Sequence, residues 1–526
     1  MSTLEIDMRL RSFVALCLLV GIGLFGCDRT DRNIGENSIA WLSRCPDFSK
    51  TGKAPIEQNA QCGSFEVLEN PQDPQGKKIA LNVLRIPAVN PVPEKDPLFI
   101  IAGGPGQSAV VVAESIHRVF SEIRKNRDIV FVDQRGTGKS NPLDCDVEAD
   151  NTKQFSEAEQ KTLAKEATTK CIEKHKDHAA YYTTNYAVTD LDEVRKELGY
   201  EKINLWGGSY GSRVVLEYMR RYPAHLRAGV LDGAAPAAIA LPWFMEVDGL
   251  AGLQAINNQC AESPACVSHY GDIVEKAQKV SNKLLAASQE IRISHPRTQE
   301  KITVNLTAQD FSAMVRLALY NRDVSSLLPQ VISEAGAGAY QLFASLSYLA
   351  KSKSEMAGIS YGMHYTIACN EDYPLYKNKN ARESNVFLNS KMVQQYSEVC
   401  AQWPSAALPS DYWDDVKSDL PVLILSGAMD PVTPPHWGDY VKKNLPNAIH
   451  VVAPGGHHIV SGDGCISQLV AAFIEKADAK SLDAACAKNI QPLAIHIPPS
   501  AIEKSKDAAV TDDSVEKNDK NVEAKE

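Results

Sequence analysis

Near-continuous apolar runs recur along the chain and read as short buried strands: residues 97–102 (PLFIIA), 128–133 (DIVFVD), 202–206 (KINLW), 228–233 (AGVLDG), 420–426 (LPVLILS) and 447–452 (NAIHVV). Runs of this length without polar alternation suit strands covered on both faces. Residues 212–222 (SRVVLEYMRRY) place apolar side chains at helical spacing and stop just before Pro223, which predicts a helix. Between residue 242 and about residue 410 the pattern is helical. Thr307-Ala-Gln-Asp310 there is a capping-box variant heading a helix over 311–320. From Pro498 the chain becomes Lys, Asp, Glu, Ala and Ser with no aromatic residue, the composition of a disordered tail.

The ends of these strands carry the chemistry. The run 202–206 passes through Gly207-Gly-Ser-Tyr-Gly211 into the helix over 212–222. A G-x-S-x-G turn between strand and helix forces its serine toward positive φ and holds the hydroxyl out beside the positive end of the helix. Ser209 is therefore the candidate nucleophile. Such a serine needs a base and an orienting acid, which on this elbow follow in the order Ser, Asp/Glu, His at later strand ends. That order is present: the strand 420–426 ends in a turn with Asp430, and the strand 447–452 ends in Ala453-Pro-Gly-Gly-His457-His458. An oxyanion site is expected from the backbone of Gly103 and Gly104, in the Gly103-Gly-Pro-Gly-Gln-Ser108 loop, and from the amide of Tyr210. Asp133 and Arg135, in the loop after residues 128–133, are expected to brace the oxyanion loop.

Together, Gly103-Gly-Pro-Gly-Gln-Ser108, Asp133-Gln-Arg-Gly-Thr-Gly-Lys-Ser140, the elbow and Gly427-Ala-Met-Asp-Pro-Val-Thr-Pro434 resemble the α/β-hydrolase serine aminopeptidases, the prolyl and tripeptidyl aminopeptidase family. The resemblance runs from about Cys45 to Cys486. It implies an α/β-hydrolase fold, a mostly parallel central sheet flanked by helices with an inserted helical cap, and Ser209, Asp430 and a histidine of the 457–458 pair as triad. The family pattern sets the base seven residues before a cysteine that opens the last helix. That count from Cys465 gives His458, whereas alignment on Gly455-Gly456 gives His457. Prolyl aminopeptidases usually carry a histidine before the Gly-Gly-Pro-Gly loop, where this chain has Ala102, so it looks closer to the secreted tripeptidyl aminopeptidase branch.

Composition narrows the partners and the compartment. With 526 residues and 44% hydrophobic content the chain buries a large core. A net charge of −10, with no Lys/Arg clusters beside aromatics, argues against nucleic acid. Met8-Arg-Leu-Arg11, whose Met8 is an alternative start, precedes an apolar stretch to Phe25 and then Cys27. Leu24-Phe-Gly-Cys27 resembles a bacterial lipobox, which makes Cys27 the lipidation candidate. The reading is of an exported, membrane-anchored lipoprotein of the bacterial cell envelope, facing the periplasm. Besides Cys17 and Cys27, ten cysteines remain of 12, an even count that suits disulfides in an exported chain. Sequential pairing gives Cys45–Cys62, Cys145–Cys171, Cys260–Cys266, Cys369–Cys400 and Cys465–Cys486, and the first and last two match the family habit. No C-x-x-C pair and no His-rich helix occurs, so neither metal nor other cofactor is expected.

The organisation that follows is a signal segment (1–27), a tether (28–44), the first part of the core (45–240), a helical cap (241–410), the second part of the core (411–497) and a tail (498–526). An aminopeptidase must hold a substrate ammonium group at a fixed distance from the nucleophile, and desolvated carboxylates on the cap do that best. Glu246, Glu371 and Asp372 are the candidates. The expected activity is release of one to three N-terminal residues from peptides with a free amino terminus. An esterase on the same fold is the alternative, because fold does not fix substrate.

Overall fold

A computed structural model describes residues 39–46, 59–145, 157–294, 298–353, 358–378 and 387–499. Cys27, the signal segment, most of the tether and the tail from residue 500 lie outside the described residues. From Trp41 onward the chain forms one unit.

Among the described residues its framework is a nine-stranded sheet in the order β1-β2-β3-β5-β4-β6-β7-β10-β11. The first three strands, β1 (Leu42–Arg44), β2 (Gln61–Leu68) and β3 (Lys78–Ile86), form an antiparallel meander at one edge, and β3 runs antiparallel to β5 (Ile129–Val132). Every later pairing, from β5 through β4 (Leu98–Ile101), β6 (Ile203–Gly208), β7 (Leu226–Asp232) and β10 (Val422–Gly427) to β11 (Ala448–Ala453), is parallel. All residues of β4, β5, β6 and β10 are buried, as the near-continuous apolar runs suggest. One face is closed by the helices Ala109–Ile116 and Ile466–Lys476, the latter inserting Ile466, Leu469, Val470, Phe473 and Ile474.

Parallel pairing matters for the site. Ile101 lies opposite Gly207, Gly208 opposite Asp232, Leu425 opposite Asp232, and Gly427 opposite Ala453. The loops after β4, β6, β7, β10 and β11 therefore leave the same edge of the sheet, where open α/β sheets bind ligands.

Between β7 and β10 lies the insertion, from the helix Leu241–Ala261 to the helix Met392–Cys400. It has its own core, with Leu253, Ile256, Phe311, Val315, Phe343 and Phe387 each no more than 1% exposed. Its helix Ala308–Leu319 starts with the expected capping box, Thr307 and Asp310 each bonding the other's backbone. The insertion is not wholly helical. A two-stranded hairpin, β8 (Gln289–Ser294) with β9 (Lys301–Leu306), interrupts it. Its sequences QEIRIS and KITVNL alternate with period two and carry β-branched residues, which favours a half-exposed strand over a helix. All five cysteine pairs join as sequential pairing expects.

Candidate active site

Ser209 sits between β6 and the helix Tyr210–Arg221 with φ 55° and ψ −125°, the strained conformation expected of the elbow. Two glycines make it possible. A Cβ on Gly207 would lie 2.2 Å from the Gly211 carbonyl oxygen, and one on Gly211 would lie 2.5 Å from that of Ile101. The Ser209 amide donates to the Asp232 carbonyl at 2.8 Å. Tyr210 opens the helix, so its amide has no carbonyl of the same helix to reach and points out of the N-terminus. Across from it, a Cβ on Gly103 would stand 3.1 Å from Ser209 Cβ, which places the oxyanion loop directly against the candidate nucleophile.

The other two groups arrive from neighbouring strand ends. His458 Nδ1 donates to Asp430 Oδ2 at 2.9 Å. Asp430, 2% exposed, also accepts from the amides of Val432 and Thr433 at 2.8 and 2.9 Å and from Thr433 Oγ1 at 2.8 Å. Burial works against its charge, but His458 and these donors prevail and hold the carboxyl below the usual carboxylate range. Burial likewise disfavours the imidazolium of His458, yet Asp430, and more weakly Asp232, push its pKa above the ordinary value. The His458 ring stands over the end of β7, its Cε1 3.5 Å from where a Cβ on Gly233 would be. The Tyr320 ring packs edge-on against it with centroids 5.1 Å apart.

His457 faces the other way. Its Nδ1 donates to the Leu319 carbonyl at 2.7 Å and its Nε2 lies 3.2 Å from Ser325 Oγ, so both nitrogens are engaged with the insertion. Geometry thus pairs His458, not His457, with Asp430.

Around this centre the expectations divide. Asp133 does brace the oxyanion loop. It accepts from Ser108 Oγ at 2.6 Å and from the Val110 amide at 2.9 Å, while its other oxygen takes Asn82 Nδ2 at 2.8 Å. Arg135 does not. Its fully buried guanidinium pairs with Asp190 and donates to the carbonyls of Leu68, Glu69 and Tyr181, tying the meander to the adjoining helix.

The three amine candidates are all buried, and two of them neighbour a buried cation. Glu371 is fully buried and accepts from the Thr184 amide and hydroxyl at 2.7 and 2.8 Å and from the Tyr412 hydroxyl. Asp372 takes Arg213 Nη1 at 2.7 Å, and that nitrogen also lies 3.5 Å from Glu371. The Arg213 guanidinium thus lies against both buried carboxyls, through Asp372 Oδ1 and near Glu371 Oε2. Burial raises Asp372 to about 7 in spite of Arg213. Glu246 Oε2 accepts from the Phe387 amide at 2.7 Å, and among the described residues its Oε1, like Asp372 Oδ2, is buried without a hydrogen-bond partner.

The pattern of apolar runs did not single out Asp232, fully buried at the end of β7. Its carboxylate accepts from the amides of Val460 and Ser461 at 2.9 and 2.8 Å. Burial raises its pKa to about 6 against the pull of those donors and of His458. A carboxylate closing an otherwise apolar strand, followed by glycine, was the available signal. The insertion also grips the oxyanion loop directly. Ser108 donates its amide to Gly358, Ser360 donates to Gly106, and His364 links the Pro105 carbonyl at 2.9 Å to the Tyr396 hydroxyl at 2.5 Å.

The sheet order, the elbow and the acid–histidine pair at one edge define an α/β hydrolase. Residues 96–259 match the family described as alpha/beta hydrolase fold, and residues 384–486 match the family described as TAP-like protein. More narrowly, the chain is a serine hydrolase. It is similar to serine protease Hip1 of Mycobacterium tuberculosis, 26% identical over 86% of this chain and 93% of that protein. Tripeptidyl aminopeptidase of Streptomyces coelicolor is 31% identical over 35% of this chain and 37% of its own length. Among solved structures, proline iminopeptidase of Mycobacterium smegmatis covers 80% of this chain and 100% of its own at 16% identity and a TM-score of 0.36.

Proposed function

We propose that this protein is an exported serine peptidase that removes one to three residues from peptides with a free amino terminus, through an acyl-enzyme on Ser209. The observation that carries the reading is the Asp430–His458 pair at the same sheet edge as the strained Ser209 elbow. The likeness to serine protease Hip1 over nearly its whole length supports peptide chemistry over simple ester hydrolysis.

In this reading His458, its Nδ1 proton held by Asp430, takes the Ser209 proton on Nε2 as Oγ attacks the scissile carbonyl. The Tyr210 amide and the Gly103–Gly104 backbone stabilise the oxyanion. The C–N bond breaks, His458 returns the proton to the leaving amine, and water attacks the ester by the reverse sequence to free the N-terminal fragment. The insertion excludes water, and the buried, unpartnered Oε1 of Glu246 receives the substrate ammonium. Export, lipidation of Cys27 and the division into tether, two core parts, cap and tail belong to the same proposal. The five disulfides suit an oxidising compartment.

The test is a panel of aminoacyl, dipeptidyl and tripeptidyl chromogenic amides, each with a free or acetylated amine, beside simple esters. The expected result is cleavage of free amides, with acetylation lowering kcat/KM at least tenfold, a loss of about 1.4 kcal/mol or more. E246Q should narrow that discrimination. Hydrolysis of esters alone would favour the esterase reading. The pH profile has a defined sign. Neutral His458 is the base and its pKa is raised, so kcat/KM falls on acidification with a midpoint above the ordinary histidine value of about 6.5. Asp430, held low, stays ionised through that range.

A further inference from the structure

We propose that Asp232 is a positioning residue that fixes the base: its carboxylate clamps the two amides beyond His458 and thereby holds the intervening Ile459 in a left-handed conformation. The proposal rests on the assignment of Ser209 and His458 given above.

Ile459 has φ 67°. A β-branched residue there is a genuine outlier, because its Cβ crowds the backbone in the left-handed region. Such strain persists only where the surroundings over-determine it. The surroundings here are specific. On one side, His458 is fixed by Asp430. On the other, the amides of Val460 and Ser461 both point at the Asp232 carboxylate, at 2.9 and 2.8 Å. Charge-assisted bonds of this kind are roughly twice as strong as neutral ones. Ser461 is also held by its side chain, whose Oγ accepts from Trp206 Nε1 at 2.9 Å on β6.

In this proposal the positive φ of Ile459 is what lets His458 reach Asp430 while the 460–461 amides reach Asp232. The Ile459 side chain is pressed into the elbow, its Cδ1 3.2 Å from the Cβ position of Gly208 and 3.6 Å from that of Gly233. Asp232 also accepts the Ser209 amide through its own carbonyl. One buried residue thus bonds both the backbone of the candidate nucleophile and the loop of its base. Register between the two would depend on it, and displacement of a catalytic group by about 1 Å costs on the order of a hundredfold in rate.

The experiment is a double-mutant cycle read by the labelling rate of folded protein with an active-site serine phosphonate, which requires no knowledge of the substrate. D232N keeps the shape but turns an NH₂ toward a backbone N–H. In the Ile459 background it should slow labelling on the order of a hundredfold. In the I459G background, where positive φ carries no penalty, the same change should cost less than about tenfold. Equal losses in both backgrounds would overturn the proposal. A D232N protein that folds only with I459G present supports it, and failure to fold in both backgrounds counts against it. If unaltered enzyme labels at a residue other than Ser209, or if H458A labels at the unaltered rate, the triad assignment itself fails, a result distinct from equal losses in the cycle.

Discussion

Replacing Arg213 by methionine is expected to destabilise the protein by about 3–5 kcal/mol, the cost of stranding buried charge when one partner of an ion pair is removed. Arg213 is 1% exposed on the helix that follows the elbow. Its Nη1 lies 2.7 Å from Asp372 and 3.5 Å from Glu371, and its other nitrogens donate to the carbonyls of Ala235 and Ile239. Methionine fills the volume but leaves two buried carboxylates facing each other. The sign with pH follows from Asp372, whose folded pKa of about 7 lies above the unfolded value of about 3.9. Below the unfolded value both states are protonated and burial of the carboxyl carries no ionic penalty. As pH rises toward 7, the unfolded chain gains the ionised form first and stability falls. Removing Arg213 raises the folded pKa further, so the deficit traced to Asp372 in urea unfolding should be small near pH 4.5 and grow as pH rises above about 7, where the unaltered protein ionises Asp372 and the variant does not. D372N in the R213M background should recover part of it.

The second large effect is on activity. D430N is expected to lower kcat about 10⁴-fold while changing KM little, the loss seen when an orienting acid of a triad becomes an amide. The asparagine oxygen would still accept from the Val432 and Thr433 amides. Its NH₂ would then face His458 Nδ1, favour the tautomer with its proton on Nε2 and leave the imidazole unable to take the Ser209 proton. Steady-state kinetics on the best amide of the panel would show the drop in kcat. A loss confined to KM would assign Asp430 to substrate binding instead.

The sequence spoke most clearly where one physical constraint acts locally. Parallel strands buried on both faces are mostly apolar, so β4, β5, β6 and β10 were visible as near-continuous runs. The elbow needs glycines at 207 and 211 because backbone oxygens lie within 2.5 Å of where a side chain would begin. Sequential cysteines lie close enough along the chain to pair. Contacts between distant segments were harder. Glu371 and Asp372 look like surface acids of a cap until Arg213, 159 positions away from Asp372, is seen to claim them. Arg135 follows the loop it was expected to brace, yet its partner is Asp190, 55 positions on. The β8–β9 hairpin did carry its period-two signal, overshadowed by the helical pattern on either side. Asp232 was legible as a strand end, but the clamp it forms depends on a loop 228 residues later.

The most direct measurement is the site of covalent labelling. Protein inactivated by a serine-directed phosphonate, digested and mapped by mass spectrometry, should carry one adduct on the peptide containing Ser209. S209A should carry none while retaining its fold and disulfides. An adduct on another serine, or inactivation of S209A at the unaltered rate, would contradict the assignment on which the account rests.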